Sequence, residues 1–170
     1  MPKALTLVRD VATYDWVVVR KRRKQAAMKI PGPDHPITIA PNGRRVRIVF
    51  NGRIVADTVR ALTLREANYP PVQYVPREDA DMALFSRTAH ASYCPYKGNA
   101  AYFSLNVDGR VSENAVWTYE APYPAMAEIK AYLAFYPRRV DRIEEAECAG
   151  ATGTDVKGAG NDFEKTSLSY

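Results

Sequence analysis

The sequence predicts a mainly β domain, built from antiparallel strands with one or two short helices. Three observations carry that expectation. "RRVRIVF" and "RIVADT" flank Asn51-Gly52, and Val46, Ile48 and Phe50 alternate with Arg45 and Arg47. "AAYFSLNV" and "RVSENAVWTY" flank Asp108-Gly109 in the same way. Asn-Gly and Asp-Gly between alternating runs are the strongest short hairpin signals, because both residues tolerate the positive φ angles of a type I′ turn. Third, "CPYKG" (94–98) joins two further extended runs. Pro95 suits the second position of a type I turn and Gly98 the left-handed residue that closes a three-residue hairpin.

The other elements follow in order. "KIPGPDHPITI" (29–39) is extended, since each residue before a proline is pushed out of the helical region. "VQYVP" (72–76) reads as another strand. "REDADMALFSR" (77–87) reads as a short helix with acids in its first turn, where the helix dipole favours them. "PAMAEIKAYLAFY" (124–136) is the better helix. Pro124 stands at its first position, Met126, Ile129, Tyr132 and Leu133 fall on one face, and Pro137 stops it. The spacing of the two Gly turns suggests related hairpins, although two-residue turns converge easily.

Composition bounds the organisation. The chain has 170 residues, enough for one domain with a real core, and 46% hydrophobic against 25% charged residues reads as soluble and globular. The pI near 9.2 points to polyanions until the charges are located. Lys3, Arg9, Arg20, Lys21, Arg22, Arg23 and Lys24, against Asp10 and Asp15, hold the whole excess within residues 1–27. The rest carries equal numbers of basic and acidic residues, so no specific nucleic-acid partner is expected. Residues 1–27 read as a mobile basic extension, and an alternative start at Met28 would also account for them. "WVVV" falls far short of the ~18–20 apolar residues of a membrane span, and no cleavage-site pattern of a secretory signal follows. Residues 28–147 form the expected domain. Residues 148–170, rich in Gly, Ala and Thr, read as a disordered tail.

Cys94 and Cys148 are the only cysteines, His35 and His90 the only histidines, and their spacing matches no metal site. No metal, no cofactor and a reducing cytoplasmic setting are therefore expected. Extended chain at ~3.3–3.4 Å per residue puts His90 and Cys94 roughly 13 Å apart on one face with Thr88 and Ser92, too far for a direct dyad. Lys97, three residues after Cys94, would favour a thiolate. The pair reads first as a small buried thiol beside a solvent-facing lysine, since a free cysteine is more often just a core residue. Glu78, Asp79 and Asp81 could hold Mg²⁺, but two acids two residues apart on a helix face different ways, and helix-start acids explain them. Arg77 stands at a strand-to-helix junction suited to an anion or to an ion pair. A dense set of aromatic residues from Tyr69 to Tyr136 could line a pocket for a planar or cationic ligand.

Six stretches together resemble the domain-of-unknown-function family 427: "KIPGPDHPITI", "RVRIVFNGRIVADTVRAL", "YPPVQYVPRED", "CPYKGNAAYFSL", "ENAVWTYEAPYPAM" and "LAFYPRRVD". They cover Lys29 to about Asp141. The resemblance implies a β-tent-like pair of antiparallel sheets meeting at an angle, with a groove between them. Similar β-tent proteins often carry two C-x-x-C zinc knuckles, which this sequence lacks, so zinc is not carried over. Nor is sulfoxide-reductase chemistry, on fold analogy alone. The family has been labelled nucleotidyltransferase-like, and no residue here demands that activity. Its pattern places Arg77, Glu78, Cys94, Tyr96, Lys97, Gly98, Trp117, Tyr119 and Tyr136 at motif positions.

Three readings follow. The first is binding of a small polar or anionic ligand in the groove, with Arg77, Glu78 and Lys97 supplying charge and Tyr96, Trp117 and Tyr119 the wall. The second is an enzyme, with Cys94 as catalytic nucleophile or redox thiol, or with nucleotidyltransferase-like activity. The third is a structural or interaction module, with which a homodimer is compatible.

Overall fold

The computed structural model of the chain describes residues 27–147. Most of the basic extension, the Gly-rich tail and Cys148 lie outside the described residues. Ten strands run in the order β1 (Ile37–Pro41), β2 (Arg44–Phe50), β3 (Arg53–Thr58), β4 (Leu62–Glu66), β5 (Val72–Val75), β6 (Phe85–Cys94), β7 (Gly98–Val107), β8 (Arg110–Thr118), β9 (Leu133–Phe135) and β10 (Arg142–Glu147). They form two antiparallel sheets, seven strands in the order β1-β4-β5-β9-β8-β7-β6 and three in the order β10-β2-β3. The mainly β expectation holds. Among the described residues no helix is long and apolar enough to cross a membrane.

Turn chemistry sets the local path. Asn51 and Gly52 have φ of 51° and 73°, and Asp108 and Gly109 have 48° and 80°, so both hairpins close through turns that need positive φ at two residues. In the third hairpin the Lys97 amide donates to the Cys94 carbonyl at 3.3 Å, Gly98 takes φ of 100°, and Cys94 pairs with Gly98.

Each face of the large sheet carries its own apolar cluster. One packs against the small sheet: Val46, Ile48, Phe50 and Val55 meet Val75, Phe103, Leu105, Val107, Val116, Leu133 and Phe135. Fully burying a side chain of this size contributes about 1.5–3 kcal/mol, so this shared core holds the sheets together. The far face carries Leu64, Tyr74, Ala100, Tyr102, Tyr119, Met126, Ile129 and Ala134, with Cys94 and Trp117 packed against them.

Both expected helices give way to shorter forms. Residues 77–87 make two 3-10 turns, Arg77–Asp79 and Met82–Leu84, and Phe85 then enters β6. The acids do not sit on a free first turn. Asp79 takes hydrogen bonds from Thr58 at 2.6 Å and Arg60 at 2.7 Å, and Ala80 bridges to Ala56, which ties the segment alongside β3. Phe85 is drawn into the sheet by edge contacts with Phe103 and Phe135. Residues 124–136 also divide. Pro124–Ile129 is a kinked 3-10 segment, Ala131 takes φ of 63°, and Leu133–Phe135 becomes β9 between β5 and β8. An apolar run buried on both faces of a central strand cannot be told from a buried helix by periodicity alone.

Strand alternation breaks as well. The β6–β7 register shifts between Arg87 and Ala91, so Thr88, His90, Ser92 and Cys94 do not form one uniform face. Thr88 Oγ1 lies 2.6 Å from Asn114 Oδ1, joining this bulge to the irregularity in β8, where Asn114 has φ of 49°.

Leu105 is fully buried in the shared core. Leu105→Ala is expected to lower unfolding stability by about 2–5 kcal/mol in urea titration, without loss of the far-face cluster.

Candidate functional site

Cys94, Trp117 and Tyr119 belong to the far-face cluster, Lys97 reaches it through Glu66 and Cys94, and Tyr96 is linked to Glu66 only through the His35 ring. The β6–β7 turn lifts Lys97 above the sheet and sends its side chain inward, leaving it 6% exposed. The expected solvent-facing lysine is thus corrected: its Nζ donates to Glu66 Oε2 and lies 3.8 Å from Cys94 Sγ. Glu66 also accepts from His35 Nε2 at 3.0 Å, and the His35 ring stacks on Tyr96 at 4.1 Å, 4° from parallel. The backbone N–H of Lys29 donates to the Pro95 carbonyl, so the N-terminal stretch is laid across the turn.

Distance shows what this bond requires. Glu66 ends β4 and Lys97 precedes β7, four strands away in sheet order. At about 4.8 Å per strand a flat sheet would separate them by roughly 19 Å, more than two side chains span. The large sheet therefore curls, and the far-face cluster fills the inside of the curl.

Burial alone would raise the Glu66 pKa. Hydrogen bonds from His35 and Lys97, with their charges, more than offset it and hold the carboxyl below its ordinary range. Tyr74 and Tyr119, buried in the same cluster, are pushed well up by desolvation, so both stay protonated. Trp117 Nε1 donates to the Tyr74 hydroxyl at 3.4 Å, and the indole packs against Tyr136 at 4.5 Å. Burial and a hydrogen bond with Tyr102 raise Tyr136 to about 12. Tyr102 also shares a 2.7 Å hydrogen bond with Ser92, and His90 stands edge-on to its ring at 4.4 Å.

Arg77 and Glu78 do not join this cluster. Arg77 lies over Phe103, on the face toward the small sheet, with Nη2 3.8 Å from Glu120. Glu120 is held instead by Arg87 through both terminal guanidinium nitrogens. Glu78 pairs with Arg60 at 3.3 Å, with both side chains more than half exposed. Arg77 and Lys97 thus lie on opposite faces and do not converge on one groove.

A groove does exist between the sheets, and other residues line it. It encloses about 780 Å³ between β1, β4 and β5 on one side and β2 and β10 on the other. Asn42 Nδ2 donates to Gln73 Oε1 at 3.0 Å and to Glu145 Oε2 at 3.2 Å. Thr63 Oγ1 donates to Gln73 Oε1 at 2.8 Å, and Gln73 Nε2 to Glu145 Oε1 at 3.0 Å. Arg44 pairs with Glu147 at 3.0 Å. Arg65 also lines the groove and makes no ion pair with any described residue. Among the described residues no group of three or more His, Cys, Asp or Glu is placed to hold a metal ion.

Sequence reasoning expected a groove but missed the residues that line it, and it missed Glu66 and the pairing of His35 with it. Glu66 did carry a signal. It follows Leu62 and Leu64 at period two, a carboxylate where alternation calls for an apolar residue. The groove residues come from five strands and two loops and carry none.

The Lys97–Glu66 pair yields a stability prediction. Lys97→Met leaves a carboxylate without its cation and is expected to cost about 3–5 kcal/mol in chemical denaturation. Lys97→Met/Glu66→Gln should recover most of that. Because the Glu66 pKa is lowered in the folded state, its contribution is fully present above the ordinary value of 4.5 and is lost as pH falls through the folded value. Wild type should therefore lose stability in that acid range more steeply than Glu66→Gln.

The chain matches the family model described as a domain of unknown function, DUF427, over residues 38–146. No curated protein matches it. The matched span runs from β1 into β10 and takes in both sheets, the curl and the groove, and on that match the chain belongs to the DUF427 family.

Proposed function

We propose that the protein binds a small polar ligand bearing an anionic group in the groove between its two sheets. The observation that carries this is the one guanidinium of the groove that has no carboxylate partner among the described residues. Glu145 has both oxygens engaged by Asn42 and Gln73, and Glu147 is paired with Arg44, whereas Arg65 meets no carboxylate among the described residues. A guanidinium of that kind recognises a carboxylate or a phosphate with two parallel hydrogen bonds.

The remaining wall suits the rest of such a ligand. Asn42, Thr63 and Gln73 offer hydroxyl and amide groups held in place by one another, so little side-chain freedom would be lost on binding. A volume of about 780 Å³ falls within the roughly 300–1,000 Å³ typical of small-molecule sites. Arg65 would supply the charge expected of Arg77 and Lys97, since Arg77 lies over Phe103 on the other side of the core contacts and Lys97 is held by Glu66.

Thermal-shift titration against small hydroxycarboxylates and phosphate monoesters tests the reading. At least one compound should stabilise wild type, by about 2.7 kcal/mol when present at 100 times its Kd. Arg65→Ala should weaken that compound about tenfold or more, the loss of a charge-assisted hydrogen bond, while changing unliganded stability by less than about 0.5 kcal/mol. No stabilising compound, or equal stabilisation of both proteins, would overturn it.

A further inference from the structure

We infer that Cys94 is a reactive thiol that exchanges with small organic disulfides, with Lys97 beside it to stabilise the sulfur anion. The inference is separate from the groove, because Cys94 lies on the far face of the large sheet. It stands on an assembled cluster. Lys97, 6% exposed, presents Nζ 3.8 Å from Sγ, Glu66 holds Lys97, and His35 holds Glu66. A nucleophile, its charged partner and a third group that orients the partner are the parts an activated nucleophile requires.

Charge bookkeeping supports the same assignment. Glu66 is held ionised, which keeps Lys97 as an ammonium beside the sulfur. A sulfur anion formed there by loss of the thiol proton to solvent would stand beside an ammonium already in place, so the new charge would be partnered rather than bare, and a bare charge is the main cost of ionising a partly buried thiol. A lysine serving only as a staple to Glu66 needs no second acceptor. A neutral thiol is a weak acceptor, whereas a thiolate is a strong one.

The step balances without another reactant. The Cys94 thiolate attacks one sulfur of the disulfide, and a new S–S bond forms to Cys94 as the old one breaks. The electron pair leaves on the second sulfur, which takes a proton from solvent and departs as a thiol. Cys94 is oxidised to a mixed disulfide, and the departing half of the small disulfide is reduced to a thiol. Cys94 is partly exposed, which the approach of a small disulfide requires.

The test uses the full chain carrying Cys148→Ser, which leaves Cys94 as its one thiol. Oxidised glutathione read by intact mass, and an aromatic disulfide that releases a coloured thiolate, report the rate at pH 7. Cys94 should react about tenfold or more faster than the free thiol of reduced glutathione. Lys97→Met alone could fail to fold, so the comparison uses Lys97→Met/Glu66→Gln, checked by circular dichroism. That variant should lose the acceleration, and Glu66→Gln, which keeps Lys97 but removes the carboxylate that orients it, should lose only part of it. A wild-type rate no greater than that of the free thiol, or an equal rate in the folded double variant, would overturn the inference.

Discussion

The bond between Lys97 and Glu66 is the constraint on which much of the molecule depends. It spans four strands of one sheet, and it closes only if that sheet curls. Twist supplies part of the curl, as in any sheet of this width. Bulges in β6 and β8 add to it, since each extra residue bends its strand and increases the local twist. The curl gives the far face an inside, and Tyr74, Tyr102, Tyr119, Ile129 and Met126 fill it. Burying a lysine there is tolerated because its ammonium meets a carboxylate that is itself hydrogen-bonded twice.

Two faces of one sheet thereby acquire different chemistry. The face toward the small sheet is apolar at its centre and polar at its open end, where β1, β4 and β5 extend past the shared core and meet β2 and β10 across the groove. The inside of the curl combines aromatic rings with hydroxyls, a thiol and a buried ion pair. Tyrosines pushed to high pKa by burial keep their protons there and remain hydrogen-bond donors. Arg77, between Phe103 and Glu120, closes the edge of the apolar face and belongs to neither site.

Particular residues show where sequence reading succeeded and where it failed. All three hairpin turns were legible, because Asn-Gly, Asp-Gly and Pro-x-x-Gly act through φ, which depends on the residue itself. The two helices were misread for one reason. "AYLAFY" is apolar at successive positions, and β9 is buried on both sides, so a central strand carries the same signal as a helix face. The acids of "REDAD" looked like a helix start until Thr58, Arg60 and Arg53 were seen to hold Asp79 and Asp81. The cluster around Cys94 was half legible. "CPYKG" marked the thiol and the lysine as neighbours in the chain, and Glu66, 31 residues from Lys97, was invisible to any local reading.

The sequence by itself determined a mainly β domain, its hairpins, its apolar strands and the neutrality of its body. Each of these rests on φ preferences, period-two alternation or a sum of charges, all properties of residues close together in the chain. Tertiary structure alone decided that Lys97 is buried, that Arg77 and Lys97 lie on opposite faces, and that the inter-sheet groove is lined by Asn42, Thr63, Arg65, Gln73 and Glu145. Those outcomes depend on which strands become neighbours and how far the sheet curls. Both are set by packing energy summed over the whole core, which no short stretch of sequence contains.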